Sequence, residues 1–530
     1  MPRPQPPRGP RTCRLTSQSR PTAAPPMAFD LIAAARDLVA LDSRSSVSDA
    51  LVVDFLAALC RRTGLAVTTQ EETRDGQRQY NLLAWRDEPR ADALLLTTHL
   101  DTVPPGDPSL WTRTGGDPFA LTLHEGCLYG LGAADVKIDF LCKLAALERL
   151  REEPLQRPVL LAGTYGEETG RWGARLLVRS LRPLPSQALV GEPSGLRPTP
   201  AHKGYVEFRV TAEAPTSPAP HLPLWSLTFT GRAAHSSQPH VGASANDACL
   251  DLLGSLAGTR PGGRSVEVVA IEGGDLVNKV AATCRLILCA AEPPHVSRSG
   301  EVTVEVSPLA ADALGHGPLS SPDLPGLLLR IHEATRLLDA ELRGQVVEGF
   351  EPPWSTVNNG LLRLAPGRLE YVVDVRSVPV GSASPGRTLG DSSLPGSPLP
   401  GQVPLHRPEA VVDDYARRLN ECCAGSGCTA EVRRLLDAAP FRAADDSATL
   451  AALTGTLRSL SLLTDRELKS GTTEAPVYQE TGMDVVVFGP GEATGNIHRP
   501  NEHVPVAHLE DAVDVYTEVI RRLCRGEGRA

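Results

Sequence analysis

The chain has 530 residues, with 63 acidic against 53 basic side chains and a formal charge of −10, so it lacks the clustered basic excess of a nucleic-acid binder. Apolar residues make up 41% and charged residues 22%, enough to bury a core, and the length fits roughly two to four domains. No run of about 18 apolar residues occurs, so no membrane-spanning helix is expected, and the 47 prolines, nearly double the usual share of about 5%, require Pro-rich connections.

Residues 1–27 carry Arg3, Arg8, Arg11, Arg14 and Arg20 among prolines. They lack the apolar segment of a secretory signal and read as a disordered leader, with Met27 as an alternative start. From 29 to 63 apolar residues recur at helical spacing. Short apolar runs at 93–98, 159–164 and 188–190 read as buried strands, and 136–151 reads as a helix through Phe140, Leu141, Leu144, Leu147 and Leu150. Strands alternating with helices imply an α/β domain whose mainly parallel sheet is flanked by helices. Ligands of such sheets sit at the carboxyl ends of the strands.

The middle of the chain differs. Segments 206–211, 224–230, 266–271, 283–289 and 369–375 are strand-like, with helical stretches at 245–256, 327–343 and 409–422. The expected organisation is a catalytic domain from 28–205 and 439–530, interrupted by an inserted α+β domain over 206–438. Pro-rich breaks at 214–223 and 381–408 read as loops. The eleven cysteines contain no Cys-x-x-Cys pair, which fits free thiols in a reducing cytoplasm.

Chemistry-bearing residues cluster where those strands end. His99 and Asp101 follow the first run on the same side of an extended chain, and a ligating histidine usually gives its second N–H to such a partner. Asp135 closes a Gly-rich turn that opens the 136–151 helix, a place that also suits a helix cap. Glu167-Glu168 follows the second run and Glu192 the third. Singly, each suits an ordinary turn. Together they place one histidine and four carboxylates at one sheet edge, a set that repels itself unless cations neutralise it. Two ions about 3.5–4 Å apart, bridged by one carboxylate and sharing one water, satisfy that requirement, and the donor types suit zinc, with cobalt or manganese as substitutes.

The segments His99-Leu100-Asp101-Thr102-Val103-Pro104, Gly166-Glu167-Glu168-Thr169, Gly191-Glu192-Pro193-Ser194, Ala201-His202-Lys203-Gly204, Thr473-Glu474-Ala475-Pro476 and His498-Arg499-Pro500-Asn501-Glu502 stand in this order. With the turn ending at Asp135 and the 231–237 segment, they make the chain resemble the acetylornithine deacetylase / succinyl-diaminopimelate desuccinylase family of dinuclear zinc amidohydrolases and peptidases, the deacetylase branch above all. That resemblance implies a zinc-exopeptidase-like catalytic domain with a lid and dimerisation domain. It assigns His99 and Glu192 to one zinc, Glu168 and His498 to the other, Asp135 to the bridge, Asp101 to orienting His99, and Glu167 to the general base. It further implies that His235 reaches from the lid of a partner subunit to steady an oxyanion, and that Asn278 and Arg376 hold the substrate carbonyl and carboxylate.

The implied protein is a cytoplasmic homodimer, placed by the resemblance in amino-acid and arginine biosynthesis. It removes an N-acyl group from an amino acid, with N-acetylornithine the nearest family substrate. A dipeptidase or carboxypeptidase using the same site is the alternative, and a non-catalytic relative is disfavoured because every ligand is present. No Gly-x-Ser-x-Gly elbow or His-Glu-x-x-His motif offers another hydrolase chemistry.

Two departures stand out. Ile138 occupies a place where the family has glycine. Asn278 and Arg376 lie 98 residues apart, whereas the family holds them on one hairpin. Residues 290–365 are therefore either an added piece of lid or part of a duplicated hairpin in which Asn358 or Asn359 partners Arg376.

Overall fold

The computed structural model describes residues 29–258, 266–296, 300–310, 314, 318–380 and 408–525. The expected leader and the Pro/Gly-rich stretch 381–407 lie outside these residues. Counted from five residues upward, the strands begin with β1 (Ala66–Arg74), β2 (Gln77–Trp85), β3 (Leu94–His99), β4 (Val159–Thr164) and β5 (Gln187–Gly191). Next come β6 (Tyr205–Glu213), β7 (Leu224–Thr230), β8 (Glu267–Gly273), β9 (Thr283–Cys289) and β10 (Thr303–Leu309). The series ends with β11 (Thr356–Ala365), β12 (Arg368–Arg376), β13 (Thr429–Ala438) and β14 (Asp484–Phe488).

The first sheet has the order β1-β2-β4-β3-β5-β14. β4, β3, β5 and β14 run parallel, and the β1-β2 hairpin joins antiparallel at β4. Every residue of β3, β4 and β5 is buried, as a parallel sheet covered on both faces requires. The helix Lys137–Arg149 packs against Leu31–Val39 and Val506–Cys524. The 29–63 stretch, expected to be helical, is two helices, Leu31–Val39 and Ala50–Arg62. They part where polar residues interrupt the apolar spacing: Asp42 binds the Arg44 guanidinium, and the Ser45 hydroxyl donates to Asp101.

The second sheet lies wholly within residues 205–438. Its order is β10-β7-β9-β8-β11-β12-β6-β13, antiparallel throughout. The helices Ala245–Gly258, Asp323–Arg343 and Pro408–Ala424 pack side by side on it. Leu324, Leu327, Leu328, Ile331, Leu338 and Leu342 of the longest one enter the shared core, at the spacing of one helical face. The chain is thus an α/β fold with an inserted antiparallel lid. Within 290–365 lie β10, the long helix and β11, and β11 forms a hairpin with β12 that sets Thr356 opposite Arg376 and Asn358 opposite Asp374. The region thus contributes both added lid elements and one strand of the Arg376 hairpin, and neither Asn358 nor Asn359 stands opposite Arg376.

Candidate metal centre

Because β4, β3, β5 and β14 are parallel, their carboxyl ends share one edge. His99 is the last residue of β3, Glu192 follows β5, Glu167 and Glu168 open a single helical turn after β4, and β14 leads into the loop of His498. Asp135 is brought in by the turn before the Lys137–Arg149 helix.

The aspartate lies between the histidines. His99 Nε2 is 3.1 Å from Asp135 Oδ1, and His498 Nε2 is 3.2 Å from Asp135 Oδ2 and from Glu168 Oε1. Two groups of ligand atoms result, His99/Asp135/Glu192 and Asp135/Glu168/His498, each with its atoms within 4.8 Å of one another. They share Asp135. Glu167 belongs to neither of them and forms a third group with His99 and Glu168. His99, Asp135 and Glu192 are buried, whereas His498 is half exposed.

The electrostatics are those of crowded acid. Burial raises Glu167 well above the usual carboxylate range, with Glu192 adding to it, and burial likewise raises Glu168 and Glu192, Asp135 contributing to both. Burial pushes against the charged histidines, yet the carboxylates outweigh it: Asp101 and Asp135 lift His99 well above its ordinary value. Asp135 and Glu168 lift His498 to about 11. Imidazole nitrogens and carboxylate oxygens converging in two groups, with excess buried negative charge, fit a pair of divalent ions such as zinc.

Asp101 does more than accompany His99. Its carboxylate accepts the backbone N–H of Glu167 at 3.0 Å, that of Glu168 at 3.3 Å and the Ser45 hydroxyl at 2.7 Å. His99 Nδ1 lies 3.1 Å from the Asp101 carbonyl and 3.6 Å from its carboxylate, so the hydrogen bond that orients the ring runs to the carbonyl. Sequence reasoning missed three residues around the centre. Lys469 Nζ stands 3.2 Å from Glu192 Oε2. Buried Glu502 accepts the N–H groups of Ala134 and Asp135 at 2.9 and 3.0 Å, fixing the turn that presents Asp135. Ser45 is the third.

The three lid residues are linked through neighbouring residues of the lid, and not to the metal groups. His235 follows β7, and its Nδ1 accepts the N–H of Ser237 at 3.1 Å, which leaves the proton of a neutral ring on Nε2. Burial and the Arg376 charge lower its pKa. Asn278 is exposed, and its carbonyl accepts the Ser236 N–H at 3.0 Å. Arg376 is buried, stacked 3.6 Å over the Tyr205 ring, and gives Nε and Nη2 to Asp374 at 3.0 and 3.2 Å. Much of its fork is therefore engaged internally. Among the described residues, no hydrogen bond or ion pair joins these three to the metal groups.

A histidine and carboxylate centre at the carboxyl edge of a parallel sheet, beneath an inserted antiparallel lid, is the arrangement of a metal-dependent hydrolase acting on amides. The chain belongs to peptidase family M20/M25/M40, whose profile matches residues 95–522. It is 33% identical over 270 residues to the acetylornithine deacetylase of Klebsiella pneumoniae (strain 342), covering 47% of this chain and 64% of the relative, so it spans less than two thirds of that relative's length. Its fold is similar to the aminoacylhistidine dipeptidase of Vibrio alginolyticus, with a TM-score of 0.64 at 13% identity, covering 93% of this chain and 96% of the other. It is also similar to an M20 family metallo-carboxypeptidase from Sulfolobus solfataricus, with a TM-score of 0.53 at 16% identity over 93% and 99%.

Proposed function

We propose that the protein is a two-metal deacylase that removes the N-acyl group from an amino acid of the N-acetylornithine kind. The observation that carries this is the pair of ligand groups sharing Asp135, with Glu167 beside them in neither of the two. His99 and Glu192 would hold one ion, Glu168 and His498 the other, with Asp135 between. Zinc fits best, and cobalt is the substitute. Ions bound there would polarise the scissile carbonyl and lower the pKa of water at the site.

The remaining roles fall to side chains. Glu167 takes a proton from the attacking water and returns it to the departing amine, and its burial favours that exchange. Asp101 holds the backbone of Glu167 and Glu168, which keeps base and ligand in step. His235 offers an Nε2–H donor suited to an oxyanion. Arg376 and Asn278 would meet the far end of the substrate, Arg376 through the guanidinium nitrogen that Asp374 leaves unbonded. The described cysteines are unpaired, which supports a cytoplasmic setting.

The test is hydrolysis of a panel of N-acyl amino acids and dipeptides by protein loaded with zinc or cobalt. Turnover of the N-acyl amino acids is expected, and cleavage of dipeptides alone would make the protein a peptidase instead. Glu167→Ala should keep both metals and lose turnover by roughly 10²–10⁴-fold. Loss of metal in that variant would exchange the roles of Glu167 and Glu168.

A further inference from the structure

We infer that the eight-stranded sheet is two copies of one four-stranded unit in a single chain, and that this internal pairing gives each chain its own composite lid, with His235 serving the centre of the chain that carries it. The catalytic use of His235 rests on the function proposed above; the pairing does not.

The strand order reads the same from both edges. In one unit β7 lies between β10 and β9, and β9 pairs with β8. In the other β6 lies between β13 and β12, and β12 pairs with β11. Each unit contains strand, helix, hairpin and strand in that order: β7, Ala245–Gly258, β8-β9, β10 in the first, and β6, Asp323–Arg343, β11-β12, β13 in the second, where the helix Pro408–Ala424 precedes β13 and has no counterpart among the described residues of the first unit. The first unit is inserted between β6 and the helix of the second. They meet at equivalent strands, β8 and β11, which pair antiparallel with Ile271 opposite Leu364, Glu272 opposite Arg363 and Gly273 opposite Leu362. That is the contact a two-fold axis generates between identical subunits, here made within one chain.

Bonds across the junction bear on the lid residues. The Ser236 hydroxyl donates to Asp374 at 2.7 Å, and Thr356 Oγ1 donates to the Ser236 carbonyl at 3.2 Å. Asn358 Nδ2 donates to the carbonyls of Val277 and Lys279, both at 3.1 Å. The backbones nearly touch: a Cβ on Gly360 would lie 2.1 Å from the Val277 carbonyl, and one on Gly274, whose φ is +73°, would lie 1.9 Å from the Gly360 carbonyl. The loops of His235 and Asn278 are thus pinned to the hairpin of Arg376.

The units have also divided their equipment. Arg376 ends β12 beside the start of β6, and the equivalent residue of the first unit is Cys289, opposite Leu224. After β7 comes Gly231-Arg232-Ala233-Ala234-His235, whereas after β6 comes Ala214-Pro215-Thr216-Ser217-Pro218, with no histidine. Each unit lacks what the other supplies, so the pair yields one complete lid. This departs from the expectation that a partner subunit delivers His235.

Mixing two inactive full-length variants, His235→Ala and Glu167→Ala, tests this on the metal-loaded enzyme. If a chain uses its own histidine, the equimolar mixture shows no more activity than the sum of its parents. Recovery to roughly a quarter of wild-type activity, the share expected when half the dimers are mixed and each holds one intact site, would overturn the inference. The pairing itself is read without substrate. Glu272→Cys/Arg363→Cys should, on oxidation, form a cross-link confirmed by peptide mass, in a chain that migrates as a monomer on a non-reducing gel. A link between chains, or no link between these positions, overturns it. If wild-type protein hydrolyses nothing in the panel, the proposed function fails, and the cysteine experiment still decides the pairing.

Discussion

A lysine at 7% exposure costs several kcal/mol unless it is paired, and Lys469 is paired with a carboxylate of the metal groups. Burial, the largest influence, acts against its charge, but Glu192, Glu467 and Asp135 raise its pKa above the ordinary lysine value. The ammonium therefore stays charged and occupies one oxygen of Glu192. An outer partner of this kind fixes a ligand's orientation and is typically worth 10- to 100-fold in metal affinity. Lys469→Met should weaken one of the two sites by that factor and leave the His498 site near its wild-type affinity. Titration of metal-stripped protein against a competing chelator reads both sites, and two unchanged affinities would remove Lys469 from this role. Glu192 was legible in the sequence because it follows a buried strand. Lys469 was not, because it lies 277 residues further on and ends a two-residue strand with no pattern of its own. Ser45 was hidden in the same way, being a serine in a polar turn until the fold sets it against Asp101.

Among elements, the single turn Glu167–Gly170 carries the most chemistry. It follows Gly166 at φ +67°, and its first two N–H groups, which no preceding turn can satisfy, are taken by Asp101. Asp101→Asn leaves one good acceptor for donors that now use two oxygens. The expected loss is about 1–3 kcal/mol, the range for leaving a buried donor unsatisfied, together with a fall in kcat as Glu167 loses its fixed position. Ser45→Ala removes one neutral donor from the same carboxylate and should cost only about 1 kcal/mol with kcat nearly intact. Urea denaturation and steady-state rates separate them, and equal effects would mean that the clamp on the turn does not matter. Of the four strands that position the centre, β3, β4 and β5 were legible because a parallel sheet buried on both faces must be continuously apolar, whereas β14 was not read from the sequence. β10 and β13 escaped because they are edge strands that alternate charged and apolar residues, as in Glu431-Val432-Arg433. β1 escaped for a similar reason: it is the outer strand of a hairpin and mostly exposed.

At the scale of the whole molecule, the centre couples metal, protons and stability. The sign follows from the pKa directions. Glu167, Glu168 and Glu192 are raised in the metal-free fold, so it binds more protons than the unfolded chain above the ordinary glutamate range near 4.3. His99 and His498, also raised, extend the excess above about 6.5. The centre's contribution to the stability of the metal-free protein should therefore fall as pH rises from about 5 to 8. Asp135, which is held low, pulls the other way only below that window. Metal reverses the slope, because its ligands must be deprotonated to bind and protons compete with it as pH falls. At 100-fold excess over its dissociation constant one ion adds about 2.7 kcal/mol. The loaded protein should accordingly melt several degrees higher than the stripped form at pH 8, with the gap narrowing towards pH 5. Thermal melts of both forms across that range check this, and parallel curves would mean that His99, Asp135, Glu168, Glu192 and His498 do not hold the ions.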